Sequence, residues 1–377
     1  MKNILFVSGT RADFGKLKPL IERVREEKNL KYGIFATGMH LLSKYGSTIN
    51  EIYKSGFSNV FQYMNQVEGE DMEVVLANTI TGISRYLHEN KVDLIVVHGD
   101  RVEALAGATV GALRNVLVAH VEGGEVSGTV DELMRHAISK LSHFHFVASD
   151  VAKKRLIQLG EDSDSIAVIG SPDVDVMLSK NLPKLNDSLS RYEIPFESYA
   201  IAILHPVTTD LASQRYHADQ FVQALDKTGD RYIVIYPNND QGSAFIFEAY
   251  QVIKENQKFR MFPSLRFEHF LTLLKNADYI VGNSSAGIHE APIYGVPTIN
   301  IGNRQHKRMQ HESIFNTEFC VDSIVDTIRN AVLSAPFKRT NHYGDGRSAD
   351  LFVDVLKCDL WQRPNQKHFR DLEFVHV

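Results

Sequence analysis

Only two cysteines occur in 377 residues, and neither Cys320 nor Cys358 has metal-ligand spacing or belongs to a disulfide framework. The chain is therefore expected to fold in a reducing compartment, the cytoplasm, with both thiols buried as small apolar groups. No uncharged apolar run reaches the roughly 20 residues of a membrane-spanning helix. The start, Met1-Lys2-Asn3-Ile4-Leu5-Phe6-Val7, is too short an apolar stretch for a secretory leader. An excess of one charge is also lacking: 41 Lys and Arg against 46 Asp and Glu leave a formal net charge of -5. So even a balance provides no field to draw the chain to nucleic acid or anionic membranes, although a local anion pocket stays open. Despite 16 His, no HExxH or Cys/His zinc pattern occurs, so no metal is expected. No GxSxG elbow points to a serine hydrolase, and short repeats and low-complexity segments are missing.

What the chain does have is ordinary globular composition, 44% hydrophobic and 23% charged, and at roughly 150 residues per domain its length suggests two domains. Short apolar runs at 3–8, 32–37, 94–98, 117–122, 145–148 and 166–170 have the character of buried parallel strands. Amphipathic segments separate them, for example 70–89 with Met72, Val75, Leu76, Ile80, Ile83 and Leu87 at helical spacing, and 151–159 behind the N-cap candidate Ser149. The alternation pauses after Gly170-Ser171-Pro172, crosses a polar stretch and restarts at 199–204, with further strand candidates at 232–236, 260–262, 279–282 and 298–301. The expected architecture is α/β, two Rossmann-like domains facing across a cleft: 1–180, 181–357, and a tail, 358–377, packed back on the body. With Trp361, Phe369, Leu372, Phe374, Val375 and Val377, the tail carries enough apolar surface that it is expected to dock on a domain.

Polar residues collect where these strands end. Gly9-Thr10-Arg11-Ala12-Asp13-Phe14-Gly15-Lys16 lacks both the dinucleotide and P-loop glycine spacings. A glycine turn feeding a helix beside Arg11 and Lys16 suits an anion, and equally suits a turn with solvated charges. His98-Gly99-Asp100-Arg101 and His120-Val121-Glu122-Gly123-Gly124-Glu125 follow the next strands, and Asp131-Glu132-Leu133-Met134-Arg135-His136 opens a helix. Asp131 alone could be a macrodipole partner. Asp100, Glu122 and Asp131 together, with Arg101, Arg135 and His136 between them, form a candidate acid/base cluster with cationic partners. His205 ends the first strand of the second half, where a structural histidine is the plain alternative. In Gly282-Asn283-Ser284-Ser285-Ala286-Gly287-Ile288-His289-Glu290-Ala291-Pro292 a strand runs through small residues into a helix. Ser284, Ser285 and Gly287 would let backbone N–H groups and hydroxyls approach a phosphate, with Glu290 a turn further on for ribose hydroxyls.

Taken in order, these motifs resemble the hydrolysing UDP-N-acetylglucosamine 2-epimerases of sialic acid biosynthesis, over nearly the whole chain. The most diagnostic stretch is His120-Val121-Glu122-Gly123-Gly124-Glu125-Val126-Ser127-Gly128-Thr129-Val130-Asp131; the non-hydrolysing enzymes carry an Ala-Gly-Leu-Arg type of sequence after the Glu. The resemblance implies a glycosyltransferase-B-like pair of Rossmann domains, a UDP-sugar substrate, no cofactor, and a homodimer or larger oligomer. It implies UDP contacts at Arg11, Gly15, Arg101, His205, Asn238, Leu265 (through its backbone, at uracil), Ser284, Ser285, Glu290 and Arg304. Essential carboxylates are implied at Asp100, Glu122 and Asp131, with Arg135 and His136 to orient them and His205 near the chemistry.

The implied reaction releases UDP by breaking C1–O, removes the proton at C2, and hydrates the resulting 2-acetamidoglucal to N-acetylmannosamine. That proton is not α to a carbonyl, so positive charge must develop in the ring before it becomes acidic, and donors for the departing diphosphate act early. Inversion at C2 calls for acid/base groups on both faces of the ring, each tuned toward neutrality. The close rival is the same chemistry on UDP-2,4-diacetamido-2,4,6-trideoxyglucose. Two more distant functions fit the same architecture: a glycosyltransferase of this fold, which needs no base at C2, and a nucleotide-sugar-binding protein without catalysis.

Overall fold

β1 (Lys2–Ser8), β2 (Leu30–Ala36), β3 (Val60–Gln62), β4 (Leu94–His98), β5 (Leu117–Val121), β6 (Phe144–Val147) and β7 (Ile166–Val168) form one parallel sheet in the order β3-β2-β1-β4-β5-β6-β7. The computed structural model describes residues 1–371 apart from 44–45, 127–129, 208–209, 238–241 and 306–307. Its inner strands β1, β4 and β5 are largely apolar because both faces are covered. Ile4, Phe6, Ile34, Leu94 and Val96 face one core, while Leu5, Val7, Phe35, Ile95 and Val97 face another. This two-residue alternation within an unbroken apolar run is the signature of a central parallel sheet.

A second parallel sheet has β8 (Ala200–Ile203), β9 (Tyr232–Ile235), β10 (Phe259–Phe262), β11 (Ile280–Gly282), β12 (Thr298–Ile301) and β13 (Ile314–Thr317) in the order β10-β9-β8-β11-β12-β13. In both sheets the chain leaves the middle in opposite directions, between β1 and β4 and between β8 and β11. Such switch points open a crevice beyond the carboxyl ends of the strands, where ligands of open α/β sheets bind. The helices Met72–Glu89 and Asp150–Gln158 stand where the periodicity predicts them, and the Ser149 side chain caps the latter by accepting from Ala152 N. The edge strands β3 and β13 are additions to the strands expected from the sequence.

The chain divides into Met1–Leu178 with His342–Val377, and Ser179–Asn341. Residues 342–357, expected to close the second domain, thus lie in the first unit. The helix Ser348–Lys357 turns Phe352, Val353 and Leu356 into the core beneath β1 and β6, with Phe352 and Phe146 rings 4.6 Å apart. Trp361 packs on the same core, its Nε1 donating to Leu356 O at 2.7 Å. Beyond it the tail is held by polar groups: Lys367 Nζ donates to the carbonyls of Lys140 and Ser142 at 3.0 and 2.7 Å and pairs with Glu161 at 2.6 Å. Phe369 is 91% exposed, against the expectation of apolar docking; Leu372, Phe374, Val375 and Val377 lie outside the described residues. The thiols are corrected too. Cys320 and Cys358 are exposed, because each flanks a helix end at the surface. Among the described residues no helix is long and apolar enough to cross a membrane.

Candidate active site

The carboxyl ends of β1, β4 and β5 place Asp13, His98 and Glu122 side by side. Asp13 sits in the first turn of the helix Arg11–Arg25, whose N-cap Thr10 accepts from Asp13 N. His98 Nε2 lies 3.0 Å from Glu122 Oε2 and its Nδ1 lies 3.5 Å from Asp13 Oδ1. Lys16, one turn along that helix, brings Nζ to 2.7 Å from Glu122 Oε2 and 3.0 Å from Asp173 Oδ2. Ser171 Oγ donates to Glu122 Oε1. Both oxygens of Glu122 are therefore engaged, on a residue with φ +61, a backbone conformation that is costly without glycine and that collects at functional sites.

This geometry decides the charges. Burial opposes ionisation of Glu122, but the Lys16 ammonium and His98 outweigh it and hold the carboxyl well below its usual range. Burial likewise opposes a charged His98, yet the carboxylates of Asp13 and Glu122 beside it lift the imidazole to about 9. Asp13 is held low mainly by His98, against the cost of burial. Burial pushes Asp173 up, and the charge on Glu122 adds to this despite the pull of Lys16. Glu125 is raised by burial and by Glu122. Glu122 is therefore an anion clamped between cations, not a carboxyl tuned toward neutrality as the sequence suggested.

Asp100 follows β4 and accepts from Arg135 Nη2, while Arg135 Nη1 donates to the carbonyl of Glu125 at 3.0 Å. One buried guanidinium thus ties together the turns after β4 and β5. His120, kept neutral chiefly by burial at a pKa of about 3, supports the same turn by binding Gly99 O at 2.7 Å and Ser139 Oγ at 3.0 Å. Asp131 is half-buried in the first turn of the helix Val130–Leu141. His136 does not join the cluster. One residue beyond Arg135 is about 100° around a helix, so its side chain is 47% exposed and lies 3.9 Å from Glu132. Arg11 pairs with Glu51 at 3.0 Å, Arg101 is exposed, and a Cβ on Gly15 would meet nothing within 4 Å.

The second unit builds its crevice around Asn283, directly after β11. The Asn283 side chain accepts from His205 N at 2.7 Å and donates to His205 O at 2.8 Å, fixing the end of β8 to that of β11. Its own carbonyl accepts from Arg304 at 3.1 Å and from Gln305 at 2.8 Å. Burial, with Arg304 nearby, keeps His205 neutral, with a pKa of about 4, so this residue offers hydrogen bonding and no positive charge. Ser284 and Ser285 are half-buried in the turn, and Ser284 Oγ accepts from Ala286 N at 3.3 Å. The expected helix is in fact two single turns, Ala286–His289 and Ala291–Tyr294, that meet at Glu290 ahead of Pro292. Gly287 serves packing: a Cβ there would stand 2.5 Å from Thr298 Cγ2, and its carbonyl accepts from Thr298 Oγ1 at 2.7 Å. Leu265 is buried after β10; Asn238 lies outside the described residues.

Sequence reasoning misses Ser171, Asp173 and the pairing of Lys16 and His98 with Glu122. In the sequence, Gly170-Ser171-Pro172-Asp173 shows only as a break in strand pattern, the mark of a domain boundary.

The clamp makes stability depend on pH in a definite way. His98, at about 9 when folded against 6.5 ordinarily, contributes fully below pH 6.5, and the contribution fades as pH rises through about 9. Glu122 and Asp13, held low, contribute above the ordinary carboxylate range and lose it in acid. Melting of the first unit should be highest at roughly pH 5 to 6.5 and fall toward pH 9; calorimetry on His98→Gln should show the alkaline decline flattened. An equal alkaline decline in wild type and variant would contradict the assignment.

Residues 22–357 match the UDP-N-acetylglucosamine 2-epimerase family. The chain is 47% identical over 377 residues to a UDP-N-acetylglucosamine 2-epimerase of Neisseria meningitidis serogroup B, covering 99% of this chain and 100% of that one. It is 33% identical to the UDP-N,N'-diacetylbacillosamine 2-epimerase (hydrolyzing) of Legionella pneumophila, covering 95% and 96% of the two chains. Its fold is similar to that of the Methanocaldococcus jannaschii UDP-GlcNAc 2-epimerase solved with UDP-GlcNAc and UDP, with a TM-score of 0.78 at 21% identity over 95% of this chain and 99% of that one. Both sheets have the parallel α/β organisation of such enzymes, and the chain belongs to the UDP-N-acetylglucosamine 2-epimerase family.

Proposed function

We propose that this enzyme is a hydrolysing 2-epimerase that converts UDP-N-acetylglucosamine and water to UDP and N-acetylmannosamine, in the cytoplasm and as a homo-oligomer, to supply sialic acid synthesis. The observation that carries the reading is the ionised Glu122 clamp at a switch point, with Asp100 and Asp131 on the neighbouring elements. As C1–O breaks, UDP leaves with the bonding pair and the ring becomes oxocarbenium-like. The ionised carboxylate of Glu122 stabilises that charge and then accepts the C2 proton, which the positive charge on the ring has made acidic. Return of a proton to C2 and of hydroxide to C1 hydrates the 2-acetamidoglucal, with Asp100 and Asp131 as the further acid/base groups and Arg135 positioning Asp100. In the second unit, Ser284, Ser285, Arg304 and His205 supply donors for the diphosphate, Glu290 accepts from ribose and Leu265 lies at uracil. Arg11 and Arg101 add cationic charge for the leaving group, and Gly15 leaves room for it.

Similarity to the Legionella enzyme, which is named for hydrolysis, supports water as the final acceptor. It also keeps the 2,4-diacetamido-6-deoxy UDP-sugar as the second reading of substrate. A glycosyltransferase would leave an acid/base cluster of this kind without a task. Incubated with UDP-N-acetylglucosamine in heavy water, the enzyme should release UDP and N-acetylmannosamine carrying deuterium at C2, read by mass spectrometry and NMR. Unlabelled product, or UDP binding without release of UDP from the sugar, would sink the proposal; comparison of kcat/KM for the two sugars decides between the substrates.

A further inference from the structure

Asp173 has no task in the reaction just described, yet it is one of two carboxyl groups on a single ammonium. It is buried in the first turn of the short helix Pro172–Met177, and Lys16 Nζ stands 3.0 Å from its Oδ2 and 2.7 Å from Glu122 Oε2. We propose that Asp173 is a positioning residue for Glu122, acting through Lys16: the charge on Asp173 sets how much of the ammonium's attraction Glu122 receives, and so how readily Glu122 accepts a proton. The inference rests on the reading of Glu122 as the group that takes the C2 proton.

The charged groups around Asp173 are mostly committed elsewhere. The helix Arg11–Arg25 presents Lys16, with Asp13 behind His98; the ends of β4 and β5 present His98 and Glu122. On its own helix, Asp175 is occupied by the backbone N–H groups of Ser348 and Ala349 at 2.9 and 2.8 Å. Asp350, on the helix packed beside it, pairs with Arg23 at 2.7 Å. While Asp173 keeps its proton, Lys16 is given over to Glu122, which is then a weak base. When Asp173 ionises, Lys16 is shared, a second negative charge stands close by, and Glu122 becomes more basic. Burial and the charge of Glu122 raise Asp173, which moves this event toward the working pH.

Asp173→Asn holds the group neutral at every pH. It should lower kcat by about tenfold and remove the acid-side limb of the kcat/KM profile that Asp173 ionisation produces. Asp173→Glu should restore both, and UDP affinity should stay close to wild type in each variant. A readout without substrate is the NMR titration of the His98 ring, which touches Glu122. Wild type should show a second inflection below the ring's own titration, and Asp173→Asn should lack it. An unchanged kcat/KM profile in Asp173→Asn, or the same lower inflection in both proteins, overturns the proposal. If the wild type fails to turn over UDP-N-acetylglucosamine, the functional reading falls on its own, while the ring titration still decides whether Asp173 controls the clamp.

Discussion

Glu122→Gln should reduce turnover by roughly 10²–10⁴-fold while leaving UDP affinity nearly unchanged. The amide keeps the shape but cannot carry the charge that steadies an oxocarbenium-like ring or accept the proton at C2. It also undoes the clamp. Lys16 and His98, 25% and 9% exposed at their side chains, would face one another without the anion between them. Removing one member of a buried ion pair costs about 3–5 kcal/mol, and His98 could relieve part of that by giving up its proton. Melting temperature should therefore fall together with turnover, and the His98 titration should move down from about 9. A second variant separates charge from backbone strain. Glu122→Gly relaxes a residue at φ +61 and so recovers some stability, yet it should be as inactive as Glu122→Gln. Steady-state kinetics beside calorimetry checks both; turnover within tenfold of wild type in Glu122→Gln would remove Glu122 from the chemistry.

Much of this site is legible in the sequence because polar groups at the ends of wholly apolar strands have no packing reason to be there. Asp100 and Glu122 stand out in that way, and the structure joins Asp100 to Arg135 on the helix Val130–Leu141. Their charge states are not legible. A carboxylate's protonation depends on which cations fold against it, and Lys16 is 106 residues from Glu122 in the chain. Ser171 reaches Glu122 from 49 residues away, by way of the turn after β7, so a segment with the look of a linker is part of the acid/base site. His136 fails for a different reason. A helix of known position but unknown phase cannot tell Arg135 from its neighbour, and about 100° of rotation separates cluster from solvent. The edge strands β3 and β13 escape because they are short and only partly covered: β3 exposes Phe61 and Gln62, so neither an unbroken apolar run nor a clear alternation marks it. The segment 342–357 misleads because an amphipathic helix declares that it will pack but not on which sheet.

Gly282→Ala should abolish UDP binding through the fold of the second unit, with no loss of any functional group. Gly282 ends β11 at φ +136, and a Cβ there would stand 1.9 Å from Ile203 O, a backbone atom of the paired strand β8. Neither neighbour has a side-chain torsion with which to yield, so the strand ends must part. Three links fail with them: Asn283 N to Ile203 O at 3.1 Å, and the two bonds by which the Asn283 side chain holds His205. Arg304 and Gln305, both aimed at the Asn283 carbonyl, would lose their common anchor. Strain of this kind together with buried polar groups left unpaired belongs among the severe substitutions, about 4 kcal/mol or more. Gly287→Ala is the control, since its added Cβ meets a Thr298 methyl that can shift, at a cost of about 1–3 kcal/mol. Calorimetric titration with UDP should show affinity lost in Gly282→Ala and largely kept in Gly287→Ala, while the His98 titration, reporting on the other unit, stays at its wild-type position in both. Retained UDP affinity in Gly282→Ala would mean that the turn after β11 does not hold the nucleotide.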